Sequence, residues 1–92
     1  MKEYAVEKHL VQKTQEYGGL CLKFTSPGVA GVPDRIVILP GGKIGFVETK
    51  APGRRPRLLQ RAVIRDLYRR GCRVATIDNL KSVEGFVRRF AK

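Results

Sequence analysis

The feature that most constrains this chain is a hairpin in its middle. Ile36-Val37-Ile38-Leu39 is an unbroken apolar run of strand length, Pro40-Gly41-Gly42-Lys43 is a turn, and Ile44 to Lys50 reads as the return strand. An apolar run of this kind predicts a central strand covered on both faces. A tight turn centred on Gly41 sets the register, so Asp34 falls opposite Glu48 or its neighbour Thr49. Glu48 and Lys50 are two residues apart on one strand and point to the same face.

The remaining elements fit around that hairpin. Residues 3–17 predict a first helix, with Val6, Leu10 and Tyr17 near one face and Gly18-Gly19 as its stop. Leu20, Leu22 and Phe24 alternate with Cys21 and Lys23, which predicts a half-buried strand. Residues 25–33 are a loop rich in turn residues, and residues 51–56 form a second, basic loop. A helix over about 57–70 follows and ends at Gly71; Arg73 to Ile77 is a last strand. Val83, Phe86, Val87 and Phe90 give the i, i+3, i+4, i+7 stripe of a closing helix. The helix between the third and fourth strands predicts a parallel crossover, hence an α/β fold with a mixed sheet flanked by helices.

Composition bounds what this fold can do. Ninety-two residues suffice for one modest core, so a single domain over 1–92 is expected. No stretch reaches the roughly 18–20 apolar residues of a membrane span, and the Met-Lys-Glu-Tyr start lacks the apolar core of a signal peptide. Cys21 and Cys72 are too few for a disulfide scaffold or a thiolate metal site and are expected to be reduced, mostly buried thiols. His9, the one histidine, is expected at the surface, which leaves serine or cysteine nucleophile chemistry without a base. Tyr4, Tyr17 and Tyr68 lie near apolar helix positions and are expected in the core or at its rim.

The net charge of +11 is local: residues 51–73 hold eight arginines against the single acid Asp66, a net +7 in a quarter of the chain. Arg57, Arg61, Arg65 and Arg69 recur every four residues along the predicted helix, with Arg54, Arg55, Arg70 and Arg73 at its two ends. A solvated helix face would normally interleave acids. Arginine suits bidentate phosphate contacts, so the patch points to nucleic acid.

Asp34 and Glu48 approach each other at the start of this patch. Opposed carboxylates on adjacent strands need a cation between them. Lys50 is one candidate. A hard divalent ion is another, since Mg²⁺ is typically held by one or two carboxylates, with waters and phosphate oxygens around the rest. Glu48 could equally pair with Lys50 at a strand edge while Asp34 starts a strand after Pro33. Convergent acids beside phosphate-binding arginines have the parts for metal-assisted phosphodiester hydrolysis. Glu7, one turn after Glu3, can lean toward the sheet from the first helix, and Gln60 faces inward near the start of the arginine helix, where its amide needs a partner.

Gly31-Val32-Pro33-Asp34, followed by Glu48-Thr49-Lys50 and then Gln60, resembles the VRR-NUC family of the PD-(D/E)XK nuclease superfamily. The resemblance runs from Glu7 to about Ile77 and implies a restriction-endonuclease-like αβββαβ core. It implies Asp34, Glu48, the Thr49 carbonyl and the first-helix acid Glu7 as catalytic ligands of Mg²⁺ or Mn²⁺, Lys50 as the residue that orients the attacking water and Gln60 as the site-lining glutamine. The pattern departs just ahead of Gln60, where similar sequences often carry Ser or Thr and this chain has Arg57-Leu58-Leu59. Stand-alone relatives of this length occur in phages and resemble homodimeric Holliday-junction resolvases. The implied protein is a metal-dependent endonuclease of branched DNA, cytoplasmic in a bacterial or phage-infected cell, which leaves a 5′ phosphate. Arg54, Arg55, Arg57, Arg61, Arg65 and Arg69 would then grip the DNA backbone. A flap or single-strand nuclease, or a non-catalytic DNA-binding module, would share the pattern.

Overall fold

The computed structural model describes all 92 residues. The elements are α1 (Glu3–Glu16), β1 (Leu20–Lys23), β2 (Arg35–Leu39), β3 (Lys43–Thr49), α2 (Leu58–Arg69), β4 (Arg73–Ile77) and α3 (Leu80–Phe90). The strands form one mixed sheet in the order β1-β2-β3-β4. β1, β2 and β3 are antiparallel neighbours, and β4 joins β3 in parallel after the α2 crossover. Gly41 and Gly42 turn the β2–β3 hairpin with φ of 91° and 76°, a left-handed conformation that glycine takes without steric cost.

The two faces of the sheet are unequal. Val37 and Leu39 of β2, Val47 of β3 and Ile77 of β4 point to one face, where they meet Val6 and Leu10 of α1 and Val83, Phe86, Val87 and Phe90 of α3. These ten side chains are the whole buried apolar core, so the closing helix spends its stripe on its own sheet. Each such side chain contributes about 1.5–3 kcal/mol on burial. α1 and α3 also meet at the surface, where His9 Nε2 lies 2.9 Å from Glu84 Oε2; His9 is thus a partly covered helix-to-helix link, not a free surface residue.

On the other face the outcome departs from the sequence pattern. The register pairs Leu22 with Ile36 and Leu20 with Ile38, and then Ile36 with Phe46 and Ile38 with Ile44. Because Val37 and Val47 take the helix-covered side, all six of these apolar residues point away from it. Cys21, not the leucines, is the β1 residue that packs on the core. Leu20, Leu22 and Ile44 are 58%, 46% and 54% exposed. β2 is central but covered on one face only, since α2 leans on β4 and leaves the β1–β3 half of this face open.

Candidate functional site

The open face of the sheet ends in charged residues. One step beyond the Arg35–Val47 pair, the register brings Asp34 across from Glu48. Asp34 is fixed by its own backbone, whose carbonyl accepts from Phe24 N–H at 2.9 Å. Thr49 donates to both of its carboxylate oxygens, from the backbone N–H to Oδ1 at 3.2 Å and from Oγ1 to Oδ2 at 2.7 Å. Glu48 is 3% exposed. Its Oε2 accepts from Gln60 Nε2 at 3.0 Å and lies 3.0 Å from Lys50 Nζ. Its Oε1 is buried with no hydrogen-bond partner.

Gln60 is held from both ends of its amide. Besides donating to Glu48, it accepts at Oε1 from the Arg57 N–H at 2.9 Å. That contact caps α2 from inside the helix, so an N-terminal Ser or Thr is dispensable. It also makes the start of α2 and the acid at the end of β3 one hydrogen-bonded unit. The Gly31 turn completes the frame: its φ is +92°, and a Cβ there would sit 2.8 Å from the Leu59 carbonyl oxygen. The loop before Asp34 therefore closes directly onto the first turn of α2.

The electrostatics are unbalanced. Burial pushes the Asp34 carboxyl up to about 6; the Thr49 hydrogen bonds work against this, and the charges of Glu48 and Glu7 add to it. Lys50 is the one cation bonded to Glu48, and Asp34 has none. An unpartnered buried carboxylate oxygen, a second carboxylate held at its charged form's expense, and an all-oxygen donor set fit a hard divalent cation. No three Asp, Glu, His or Cys side chains stand close enough together to hold an ion by themselves, so backbone oxygens and waters would complete its shell.

Asp34, Glu48, Lys50 and Gln60 line one cleft of about 420 Å³ together with Arg57 and Glu3. Glu7, expected as a further metal ligand, is not in its wall. It pairs with Arg35 Nε at 2.8 Å and with Lys23 Nζ at 3.3 Å, and acts on Asp34 through its field. Glu3, one turn earlier, reaches the cleft instead because α1 passes the sheet end at its N-terminus. Arg54 and Arg55 line a neighbouring cavity with Lys50 and Arg57, whereas Arg61 and Arg65 line a groove between α2 and β4. Arg69 is exposed and lines none of these. Tyr4, Tyr17 and Tyr68 are 69%, 42% and 71% exposed, so none belongs to the core. The Thr49 side chain as the clamp on Asp34 leaves only a weak trace in sequence, its place beside Glu48 on the strand opposite Asp34. Asp78 likewise steadies the basic loop, accepting from the Gly53 N–H at 3.0 Å, a bond that holds its carboxyl below the usual range.

No family model matches the chain. A curated protein named "Putative nuclease p44", from Acyrthosiphon pisum secondary endosymbiont phage 1, is 47% identical over 79 residues, which span 86% of this chain and 85% of that one. A solved structure described as a VRR_NUC domain superposes with a TM-score of 0.89 at 32% identity, over 96% of each chain. The chain belongs to the VRR_NUC family. That match takes in the hairpin and α2, so the VRR_NUC fold is the frame in which Asp34, Glu48, Lys50 and Gln60 converge. The sheet order and the α2 crossover agree with the restriction-endonuclease-like core expected from the sequence. The function supported by both likenesses is that of a nuclease.

Proposed function

We propose that this VRR_NUC protein is a Mg²⁺- or Mn²⁺-dependent endonuclease that cuts branched DNA, four-way junctions foremost, as a homodimer. The observation that carries the reading is Glu48 Oε1, a buried carboxylate oxygen without a partner beside a second, half-buried carboxylate. Asp34, Glu48 and the Thr49 carbonyl would hold the ion, which when bound supplies Lewis-acid stabilisation and an acidified water.

The chain's own residues do the rest. Lys50, fixed by Glu48 and only partly exposed, directs its ammonium into the cleft, where it can donate to the attacking water and hold it in line with the phosphorus. Water oxygen bonds to phosphorus, the bond to the 3′ oxygen breaks, and the water's proton ends on that oxygen, leaving a 5′ phosphate and a 3′ hydroxyl. Thr49 keeps Asp34 oriented, and Gln60 ties Glu48 to the helix that carries the arginines. Arg54, Arg55, Arg57, Arg61, Arg65 and Arg69 contribute sequence-independent affinity for the backbone.

The homodimer rests on the uncovered sheet face. Leu20, Leu22, Ile36, Ile38, Ile44 and Phe46 form a contiguous apolar surface free of charged side chains, of a kind that marks interaction sites. The six residues carry no charge of their own, and the excess of the net +11 lies on α2 and its flanking loops. The face runs into Asp34 and Glu48, so a two-fold contact there fixes the spacing of two cutting sites.

The test is a labelled four-way junction incubated with Mg²⁺, Mn²⁺ or EDTA. Cutting is expected with either metal, lost in EDTA, and reduced by at least about 10³-fold in Asp34→Ala and Lys50→Ala. Undiminished cutting by either variant refutes the site, and equal cutting of linear duplex refutes the junction preference.

A further inference from the structure

The cavity beside α2 is larger than the carboxylate cleft and has a different chemistry. It is a groove of about 610 Å³ between α2 and the edge strand β4, within the roughly 300–1,000 Å³ of small-molecule sites. Ile64 and Val74 form an apolar floor, Tyr68 stands on the rim, and Arg55, Arg61 and Arg65 surround it; no acid lines it. Tyr68 is 71% exposed, and its ring stacks on no other ring and has no cation over its face. Arg61 is held at the mouth, its Nε donating to the Pro56 carbonyl at 2.9 Å.

Phosphate binding accounts for the arginines and leaves the floor and the tyrosine unexplained. A flat ring joined to a phosphate accounts for all of them, since the ring buries on Ile64 and Val74 and stacks on Tyr68 while the phosphate meets the guanidiniums. The position suits such a ligand. Arg57 and Gln60 face the cleft, while Arg55, Pro56 and Arg61 face the groove, so the start of α2 is the wall between the two. Thr76, in the groove, is paired in register with Glu48. A strand lying in the cleft therefore has its next nucleotides within reach of the groove.

We propose that the groove receives an unpaired nucleotide of the DNA, with its base stacked on Tyr68 and its phosphate held by Arg61 and Arg65. This deepens the nuclease reading and rests on it: the substrate is DNA that offers an unstacked base near the branch. A fully paired duplex cannot fill the groove without first extruding a base from its stack.

The experiment measures binding of the full chain by fluorescence anisotropy in EDTA, with three probes: a duplex with a short single-stranded gap, the same duplex fully paired, and the gapped duplex with abasic residues across the gap. Wild type is expected to prefer the gapped probe over both others. Tyr68→Ala is expected to lose about 10-fold on the gapped probe and little on the others, and Tyr68→Phe to keep the preference. No preference for bases over abasic residues, or an equal loss on all three probes, overturns the proposal. Because metal is absent, failure of junction cutting leaves a positive binding result standing, and cutting without the binding difference overturns the groove alone.

Discussion

Replacing Asp34 with Asn should abolish cutting and yet make the protein more stable. In the folded chain burial raises the Asp34 carboxyl to about 6, well above its value in an unfolded chain. The native state therefore holds this proton more tightly than the unfolded state. As pH rises between the two values the unfolded chain ionises first, stability falls, and the full cost is present above the folded value. About 2 units at 1.36 kcal/mol each would be about 3 kcal/mol for a fully buried group; partial exposure of Asp34 reduces this to about 1–2 kcal/mol. Asn can keep the local bonds, accepting the Thr49 N–H with its oxygen and donating its amide to Thr49 Oγ1. At 4–8 °C per kcal/mol for a domain of this size, Asp34→Asn should melt about 5–10 °C higher at pH 7.5 in EDTA. The gap should close toward pH 4, where both chains carry a neutral group at this position. Added Mg²⁺ should raise the wild-type Tm and leave the variant's unchanged, since a cation that binds only the native state stabilises it by mass action. Differential scanning fluorimetry across pH reads all of this. A variant that melts at or below wild type at pH 7.5, or a gap that does not shrink on acidification, refutes the claim that Asp34 is held in its charged form at the fold's expense.

Two further outcomes follow from contacts already described. Gln60→Ala removes both the cap on Arg57 and the bond to Glu48, so it should lower the melting point by the equivalent of about 1–2 kcal/mol and cut the turnover by about 10-fold or more; Gln60→Glu should retain the cap but repel Glu48 and lose at least as much activity, as read by melting and junction cutting in parallel. Leu22→Glu with Ile44→Lys should convert a dimer into a monomer by light scattering after gel filtration while leaving circular dichroism unchanged, because both side chains are about half exposed in the single chain; a wild type that is monomeric at tens of micromolar refutes the sheet-face interface.

The hairpin was legible from sequence because its turn, its apolar run and its alternating register agree on one pairing, and that pairing alone brings Asp34 to Glu48. The α2 crossover and the closing helix were legible from periodicity. What periodicity could not settle is which face of the sheet is covered. Leu20 and Leu22 alternate with Cys21 and Lys23, and taking leucine as inward is the ordinary choice. The observed choice follows from β2: Val37 and Leu39 meet α1 and α3, register then commits every neighbour, and Cys21 is left facing in. Glu7 shows a second limit. Its place in α1 points it toward the sheet as expected, but Arg35, a residue of the hairpin itself, captures it. A side-chain pairing across 28 residues leaves no local trace in sequence.

The unequal faces also explain how so small a chain can carry a site of uncompensated charge. All ten buried apolar residues lie on α1, α3 or the sheet face they cover, and none lies on α2. The only buried residue of α2 is Gln60, and its partner is Glu48. Stability is therefore concentrated on one side of the sheet, where truncation of Leu10, Val47 or Val87 would open a cavity and cost several kcal/mol. The other side holds the carboxylates, the arginines, the groove and the open apolar face, each incompletely satisfied by the single chain. Elements with few buried contacts sit at the low end of local stability, so α2 is the part of the fold whose order most depends on what lies against it. Phosphates against its arginines, a cation between Asp34 and Glu48 and a second copy on β1–β3 would each supply something the isolated chain lacks. Binding then does for this half of the sheet what α1 and α3 do for the other.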